Sequence, residues 1–406
     1  MQNPNRNAAI DALRAFVTLL VLAHHAFLAY ASFVPSATAA FTAHPYFWAA
    51  FPVVDLARWR GFDVFILFND SFFMALMFLI AGLFVWPSLT RKGEGTYLRD
   101  RGWRLGLPFL GAAFLLAPLA YYPAYAIRSG APSLTEFFQL WLSLDNWPSG
   151  PCWFIASLLA FDLLAAATFR LWPGATQAAR RIGEARALPQ ILGLLLVSGA
   201  LYLALVLVFG PSRWIAAGPF AIQASRILLY ASYFLTGVCL GAYGLNHGLL
   251  APAGKLAKFW LAGIAAALLA FILNAATTIH NQALGPQTPV TWQALAGIAY
   301  ALSCAGSSLL FLAVFIRFVR RDHRILRSIS ANAYGMYLIH YPIVIWLQYS
   351  LLHTNYPAFE KGIAVFVLTA LLSWSLAATL RRIPIPNALL THKRQEFSPA
   401  NMETTT

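Results

Sequence analysis

Hydrophobic residues occur in long blocks along this chain, and short polar or Pro/Gly-containing segments separate the blocks. Ten blocks approach twenty residues, the length that an α-helix needs to cross about 30 Å of hydrocarbon. This pattern predicts an all-α integral membrane protein with about ten transmembrane helices. The predicted spans are 10–32, 63–86, 105–127, 151–172, 190–210, 220–244, 258–279, 291–316, 330–352 and 360–380.

The connections between the blocks contain no segment that looks like a linker to a soluble domain. We therefore predict a single membrane domain of ten spans over residues 1–385. The last residues, 386–406, are polar, and we predict that they form a disordered cytoplasmic tail.

Basic residues indicate how the chain is oriented in the membrane. If ten spans cross the membrane in alternating directions, every second connection lies on the same side as the N-terminus. Most of the 28 Lys and Arg residues fall in the segments on that side. Short cytoplasmic segments accumulate these residues, so we predict that both termini are cytoplasmic. The same asymmetry accounts for the net charge of +14. No DNA-reading or RNA-reading motif accompanies the charge, and we predict no nucleic-acid partner.

Composition agrees with the membrane interpretation, because 60% of the residues are hydrophobic and only 10% are charged. A soluble domain carries about 25% charged residues. The three cysteines show neither a pairing pattern nor a C-x2-C spacing, and the nine histidines form no H-E-x-x-H motif. The sequence therefore predicts no metal site.

Two ionisable residues, Arg14 and His25, interrupt the first hydrophobic block. An ionised side chain at the centre of a membrane helix costs about 2.5–3.5 kcal/mol on insertion scales, so such a residue usually has a function or a partner. Eleven residues separate the two by about 16 Å along a helix and by only about 20° around it. We therefore expect both to face the same cavity. His24 points about 100° away from His25. Asp11 lies three residues before Arg14, and we expect the two to form an ion pair.

The Arg-x10-His pattern of Ile10 to His25 resembles the first helix of the acyltransferase-3 family of integral-membrane acyltransferases. Four further segments resemble motifs of that family in the same order, and together the resemblance spans the whole chain. Phe73–Phe84 resembles the Phe/Leu-rich segment of the family's second helix, but it has Ala81 in place of the usual Ser. Arg101-Gly-Trp-Arg104 resembles an Arg-x-x-Arg motif, and Gly150–Ile155 resembles a Trp-Phe-Leu motif. Ser330–Pro342 resembles a helix with the pattern Tyr-x-x-Tyr-Leu-x-His.

This resemblance implies a reaction and a location. The reaction is transfer of an acyl group, by default acetyl, from cytoplasmic acyl-CoA to a hydroxyl of a glycan or another cell-envelope acceptor. The implied location is the bacterial inner membrane, so the expected partners are the lipid bilayer, acyl-CoA and the acceptor. Succinyl or another small acyl group fits the sequence equally well. No metal cofactor is expected.

Specific residues can be assigned to this reaction. His25 would act as the general base, because a neutral imidazole has an unperturbed pKa of about 6.5. Arg14, Arg101 and Arg104 would bind the donor phosphates at the cytoplasmic rim, since guanidinium groups bind phosphates in a bidentate manner. The expected substrate-binding residues are Asp70, Trp153, Tyr337 and His340.

Each assignment competes with a structural interpretation. Arg14 alone would be consistent with a positive anchor at the membrane surface, and Trp153 with the aromatic belt of the interface. His340 would be consistent with an interhelical hydrogen bond. Asp70 would be consistent with a loop end at the outer interface.

The rival functional class is a secondary transporter or a flippase for a glycan or small polar solute. Such proteins also have about ten spans with intramembrane charges, but their halves are often repeats of each other. The Arg-x10-His pattern of the first block has no counterpart in the sixth, where Arg226 lies near the outer end. We therefore favour the acyltransferase.

Overall fold

The structure is a computed structural model of the chain, and it describes residues 7–34, 40–320 and 323–383. It is 78% helical with almost no strand, which confirms the predicted all-α class. Residues 386–406, predicted as a disordered tail, lie outside the described residues.

Ten long helices make up most of the described chain, and we number them in chain order. The long helices are α1 Ala8–Leu28, α2 Arg60–Gly82, α3 Glu94–Arg128, α4 Trp153–Leu171, α5 Ala187–Phe209, α6 Ile227–Tyr243, α7 Trp260–Leu284, α8 Val290–Phe318, α9 Arg324–Leu351 and α10 Ala358–Leu380. Shorter helical segments lie at Phe47–Ala50, Val85–Lys92, Leu134–Leu142, Gly150–Cys152, Ala175–Glu184, Ala224–Arg226, Gly248–Leu250, Lys255–Lys258 and Gly285–Gln287. Within α3, the stretches Gly102–Gly106 and Ala112–Leu116 are π-helical.

Nine helices in the described ranges are long and apolar enough to cross a membrane. The predicted span 330–352 corresponds to the C-terminal part of α9, which has 28 residues but is not one of those nine. Polar residues lower the mean hydropathy of α9, and several of them are buried inside the bundle. Its buried polar residues include Ser330, Asn332, Tyr337, His340 and Gln348.

The first helix lies at the centre of the bundle, where it packs against α2, α8, α9 and α10. Asn7 caps its N-terminus by accepting hydrogen bonds from the backbone N–H groups of Ala9 and Ile10. In contrast, α7 lies at the periphery, and only 17% of its most apolar stretch is buried inside the protein. The residues on α1 are therefore surrounded by protein, as a site within the membrane requires.

Helices α2 and α6 approach each other closely because glycines line their contact. A Cβ atom on Gly237 would lie 2.1 Å from the Leu79 carbonyl oxygen, and one on Gly241 would lie 2.1 Å from that of Leu83. These two glycines form a G-x-x-x-G pattern, which allows the backbones of membrane helices to touch. The contact sets the register between the two helices.

A short antiparallel hairpin precedes α6, with β1 at Trp214–Ala217 and β2 at Phe220–Gln223. Gly218, with φ of 57°, occupies the first position of its two-residue turn, where a positive φ is required. The sequence placed the sixth span at 220–244, and this start was wrong. Residues 220–223 form β2, and the helix begins at Ile227.

Three hydrogen bonds identify one end of the bundle, which we call the N-terminal face. Asn7 Nδ2 donates to the Leu245 carbonyl at 2.8 Å, and an Arg14 nitrogen donates to Ser330 Oγ at 2.9 Å. Arg381 donates to the Ala331 carbonyl at 2.9 Å. The starts of α1 and α9 and the ends of α6 and α10 therefore share this face, whose assignment to the cytoplasm stays a prediction. The hairpin lies at the other end, which we call the opposite face.

Candidate functional site

A partly open cavity of about 460 Å³ lies at the N-terminal face, between α1, α2, α3, α4 and α9. Its volume is within the range of small-molecule binding sites. The predicted site residues Arg14, Arg101, Arg104 and Tyr337 all line it. The fold thus brings together residues from three helices, and the two furthest apart in sequence, Arg14 and Tyr337, are more than 300 positions apart.

The rim of this cavity is rich in cationic side chains. Lys92 joins the three arginines, and it forms an ion pair with Asp100, which also lines the cavity. Arg14 lies 3.1 Å from Asp11, the partner expected from the sequence, and it also contacts Ser330. This arrangement provides positive charge and hydroxyl groups for an anionic ligand.

A buried carboxylate holds Arg101 in place. Arg101 Nε lies 3.1 Å from Oδ2 of Asp162, which is 0% exposed, and the Arg101 guanidinium lies over the Tyr97 ring at 4.9 Å. The Tyr97 hydroxyl donates to the other Asp162 oxygen at 2.6 Å. Arg104 is exposed in the π-helical stretch that follows. Arg101 is therefore fixed, whereas Arg104 extends at the rim.

His25 does not line the cavity but lies in a separate aromatic cluster. Its ring centroid is 5.2 Å from that of His340 and 5.3 Å from that of Tyr341. Its Nδ1 lies 2.9 Å from the Val21 carbonyl oxygen. Because a carbonyl can only accept, Nδ1 carries the proton and Nε2 keeps its lone pair. The imidazole is thus in the tautomer that a general base at Nε2 needs.

Tyr337 connects the cavity to the histidine cluster. It lines the cavity, and its ring centroid lies 5.6 Å from that of His340. Its hydroxyl donates to the Pro151 carbonyl in the turn before α4. His340 Nδ1 contacts the Tyr337 carbonyl, and its Nε2 is buried without a hydrogen-bond partner in the described residues. Tyr337 is therefore a cavity residue that also contacts the histidine cluster, at His340.

The remaining predicted residues, Asp70 and Trp153, lie away from this cavity. Asp70 forms a bidentate ion pair with Arg226. Asp70 Oδ1 lies 2.9 Å from one terminal guanidinium nitrogen, and Oδ2 lies 2.5 Å from the other. Trp153 stacks on Tyr230 with a centroid distance of 5.7 Å. Asp70 is thus not an interface loop end, because it lies within α2.

Sequence reasoning did not assign Lys92 or Arg226 to a site. The signal for Arg226 was present, since it is an ionisable residue at the edge of a hydrophobic block. The sequence alone could not show that its charge is matched by Asp70, which is 156 residues away. Across residues 7–34, 40–320 and 323–383, no group of three or more His, Cys, Asp or Glu side chains is arranged to hold a metal ion.

Comparison with known proteins identifies the family. No curated protein and no solved structure shows significant similarity to the chain. The family model described as an acyltransferase domain matches residues 7–378, nearly the whole length. Its match agrees with the membrane-spanning helices of the structure. The chain therefore belongs to the acyltransferase-3 family and is a membrane acyltransferase.

Proposed function

We propose that this protein transfers an acyl group, by default acetyl, from cytoplasmic acyl-CoA to a hydroxyl of a glycan or other envelope acceptor in the bacterial inner membrane. The observation that supports this most directly is the cationic cavity at the N-terminal face, with two histidines immediately behind its Tyr337 wall. The cationic cavity would bind the phosphates of CoA, and a histidine would supply the base that the reaction needs.

The donor would bind with its phosphates at the rim. Coenzyme A carries its negative charges at one end and its thioester at the far end of a flexible pantetheine arm. Arg14, Arg101 and Arg104 provide guanidinium groups for the phosphates, and Lys92 adds an ammonium group. The arm would extend along α1 over the distance of about 16 Å that separates Arg14 from His25.

Movement of Tyr337 is part of this proposal. The thioester reaches His25 only after the Tyr337 side chain leaves its position between the cavity and His340. Its single hydrogen bond in the described structure, to the Pro151 carbonyl, would break in that movement. A bound pantetheine arm would replace the packing that is lost. Tyr337 would thus keep the histidines covered until the donor is bound.

The chemistry follows from the orientation of His25. Its Nε2 would accept the proton of the acceptor hydroxyl while that oxygen attacks the thioester carbonyl carbon. The tetrahedral intermediate would then collapse, the carbon–sulfur bond would break, and the thiolate of CoA would take the proton back from His25. Gln348 donates to the His25 carbonyl at 2.8 Å and so holds this part of α1 against α9. We propose direct transfer, without a covalent acyl-enzyme.

The test uses inside-out membrane vesicles that contain the protein. Incubation with labelled acetyl-CoA is expected to label a glycan or lipid, and vesicles with His25→Ala are expected to give no label. His353→Ala is the matched control, because His353 is exposed in the loop after α9. A transporter or flippase would show no dependence on acetyl-CoA, so unlabelled products with folded wild-type protein would contradict the proposal.

We expect Arg104→Gln to raise the KM for acetyl-CoA by about tenfold and to leave kcat nearly unchanged. A hydrogen bond to a charged group contributes about 1.5–3 kcal/mol, and a contact made equally in the ground and transition states affects KM alone. Steady-state kinetics with purified protein measures both constants. Arg104 suits this test better than Arg101, since Arg101→Gln would also leave Asp162 buried without its cation.

Two controls sharpen this prediction. Arg170→Gln removes an exposed arginine that does not line the cavity, and it should leave the KM unchanged. Acetyl-pantetheine lacks the phosphates of CoA, so Arg104→Gln and wild type should use it equally well. If Arg104→Gln weakened both donors equally, the assigned contact between Arg104 and the phosphates would be wrong.

A further inference from the structure

A second polar cluster lies inside the bundle, apart from the N-terminal cavity. The Asp70 carboxylate accepts two hydrogen bonds from Arg226, which is 7% exposed. The side chain of Asp70 keeps 38% of its surface accessible. Asn69, the preceding residue on α2, is 1% exposed and donates to the Leu20 carbonyl on α1 at 3.2 Å. None of these residues lines the N-terminal cavity.

Several polar atoms of this cluster have unmet hydrogen-bonding capacity. In the described residues, Arg226 Nε, Asn69 Oδ1 and His24 Nδ1 are buried without a hydrogen-bond partner. Most buried polar atoms in proteins are hydrogen-bonded, and leaving one unpaired costs about 1–3 kcal/mol. These three atoms provide donors and acceptors for a polar ligand, and the side chain of Asp70 is partly accessible.

The cluster lies beside the histidines of the proposed reaction. The ring centroids of His24 and His25 are 5.5 Å apart, and His24 also stacks on Phe73 of α2 at 5.1 Å. Arg226 precedes α6 at the end that carries the hairpin. A ligand at this cluster would therefore approach from the opposite face and reach the neighbourhood of His25.

Aromatic side chains extend from the exposed hairpin toward the ion pair. Trp214 on β1 is 47% exposed, and its ring lies 5.7 Å from that of Trp153. Trp153 in turn stacks on Tyr230, which lies close to Arg226. Flat aromatic faces next to a carboxylate and a guanidinium suit a sugar ring, which has apolar C–H faces and hydroxyls at its edge.

We propose that Asn69, Asp70, His24 and Arg226 form the binding site for the acceptor, and that the acceptor is a neutral sugar with adjacent hydroxyls. The charges of Asp70 and Arg226 cancel, so the cluster favours an uncharged ligand over an acidic sugar. The Asp70 carboxylate accepts from one hydroxyl, and Arg226 Nε donates to a neighbouring oxygen. This inference rests on the proposed function, which it extends by adding a second site on the opposite face.

The test separates donor binding from transfer to the acceptor. Purified wild type, Asp70→Asn and Asn69→Ala are each assayed for binding of labelled acetyl-CoA and for labelling of the glycan fraction from the same membranes. Asp70→Asn keeps the size of the side chain, and Asn69→Ala leaves the ion pair intact. Asp63→Asn is the matched control, because Asp63 is also on α2 but contacts only the Ser32 backbone N–H among the described hydrogen bonds.

A treated acceptor tests the chemical class. Periodate cleaves the bond between carbons that carry adjacent hydroxyls, so a glycan fraction treated with periodate should no longer be labelled by wild type. We expect Asp70→Asn to lose at least tenfold in transfer, Asn69→Ala to raise the KM for the glycan several-fold, and all variants to bind acetyl-CoA like wild type.

The outcomes distinguish the two proposals. Transfer by both Asp70→Asn and Asn69→Ala at the wild-type rate would overturn the acceptor site, and undiminished labelling of the periodate-treated glycan would overturn the sugar with adjacent hydroxyls. Absence of any acetyl-CoA-dependent labelling by wild type would instead overturn the proposed function. Loss of both acetyl-CoA binding and transfer in both variants would show that the cluster only supports the fold, and would also overturn the acceptor site.

Discussion

Replacing His25 with alanine is expected to reduce acyl transfer by about 10²- to 10⁴-fold, the usual contribution of a positioned general base. The physical reason is that the His25 side chain supplies one proton acceptor, Nε2. The tautomer of the ring is set by the Val21 carbonyl, which lies 2.9 Å from Nδ1. The measurement is single-turnover transfer of labelled acetyl groups by purified protein. Binding of acetyl-CoA should persist, because the arginines of the rim are unchanged.

The neighbouring histidine tests this assignment further. From the sequence, His24→Ala is expected to be milder, because His24 points about 100° away on α1. In the structure its ring stacks on Phe73, on the side of the acceptor cluster. His24→Ala should therefore raise the KM for the acceptor more than it lowers kcat. If His25→Ala retained transfer within threefold of wild type, the general-base role would be wrong.

The sequence predicted correctly that three arginines lie close together, whereas their role in binding the donor stays a prediction. Arg14, Arg101 and Arg104 were grouped because each lies near the cytoplasmic end of its predicted span, and residues at the same depth of neighbouring helices can meet. Position along a helix follows from the length of a hydrophobic block. The depth of a residue in the membrane is therefore readable from sequence, whereas the direction of its side chain depends on packing.

Side-chain direction explains where sequence reasoning fell short. The angular spacing on α1 is a property of one helix, and it predicted that Arg14 and His25 share a cavity. In the structure, Arg14 and Tyr337 line a cavity that His25 does not line, and His25 packs against His340 of α9 instead. The pairing of Asp70 with Arg226 likewise depends on the close contact of α2 and α6, in which Gly237 takes part. Periodicity within one helix cannot reveal contacts between helices.

The second large effect is expected for Lys361→Met, which should lower the thermal stability of the purified protein. Lys361 Nζ lies 2.8 Å from Asp55 Oδ2, and the two side chains are only 2% and 3% exposed. The pair joins the start of α10 to the loop before α2. Removing one partner of a buried ion pair costs about 3–5 kcal/mol, because the other charge stays buried without that partner. Thermal denaturation in detergent should show a transition several degrees lower.

A double variant tests whether the cost arises from the uncompensated carboxylate. Asp55→Asn combined with Lys361→Met removes both charges, and the asparagine oxygen can still accept the hydrogen bond that Ala57 N–H donates at 2.9 Å. Neutral replacement of both partners of a buried pair is often harmless, so this variant should recover most of the lost stability. Equal destabilisation of the single and double variants would show that packing of the lysine chain, rather than its charge, stabilises this contact.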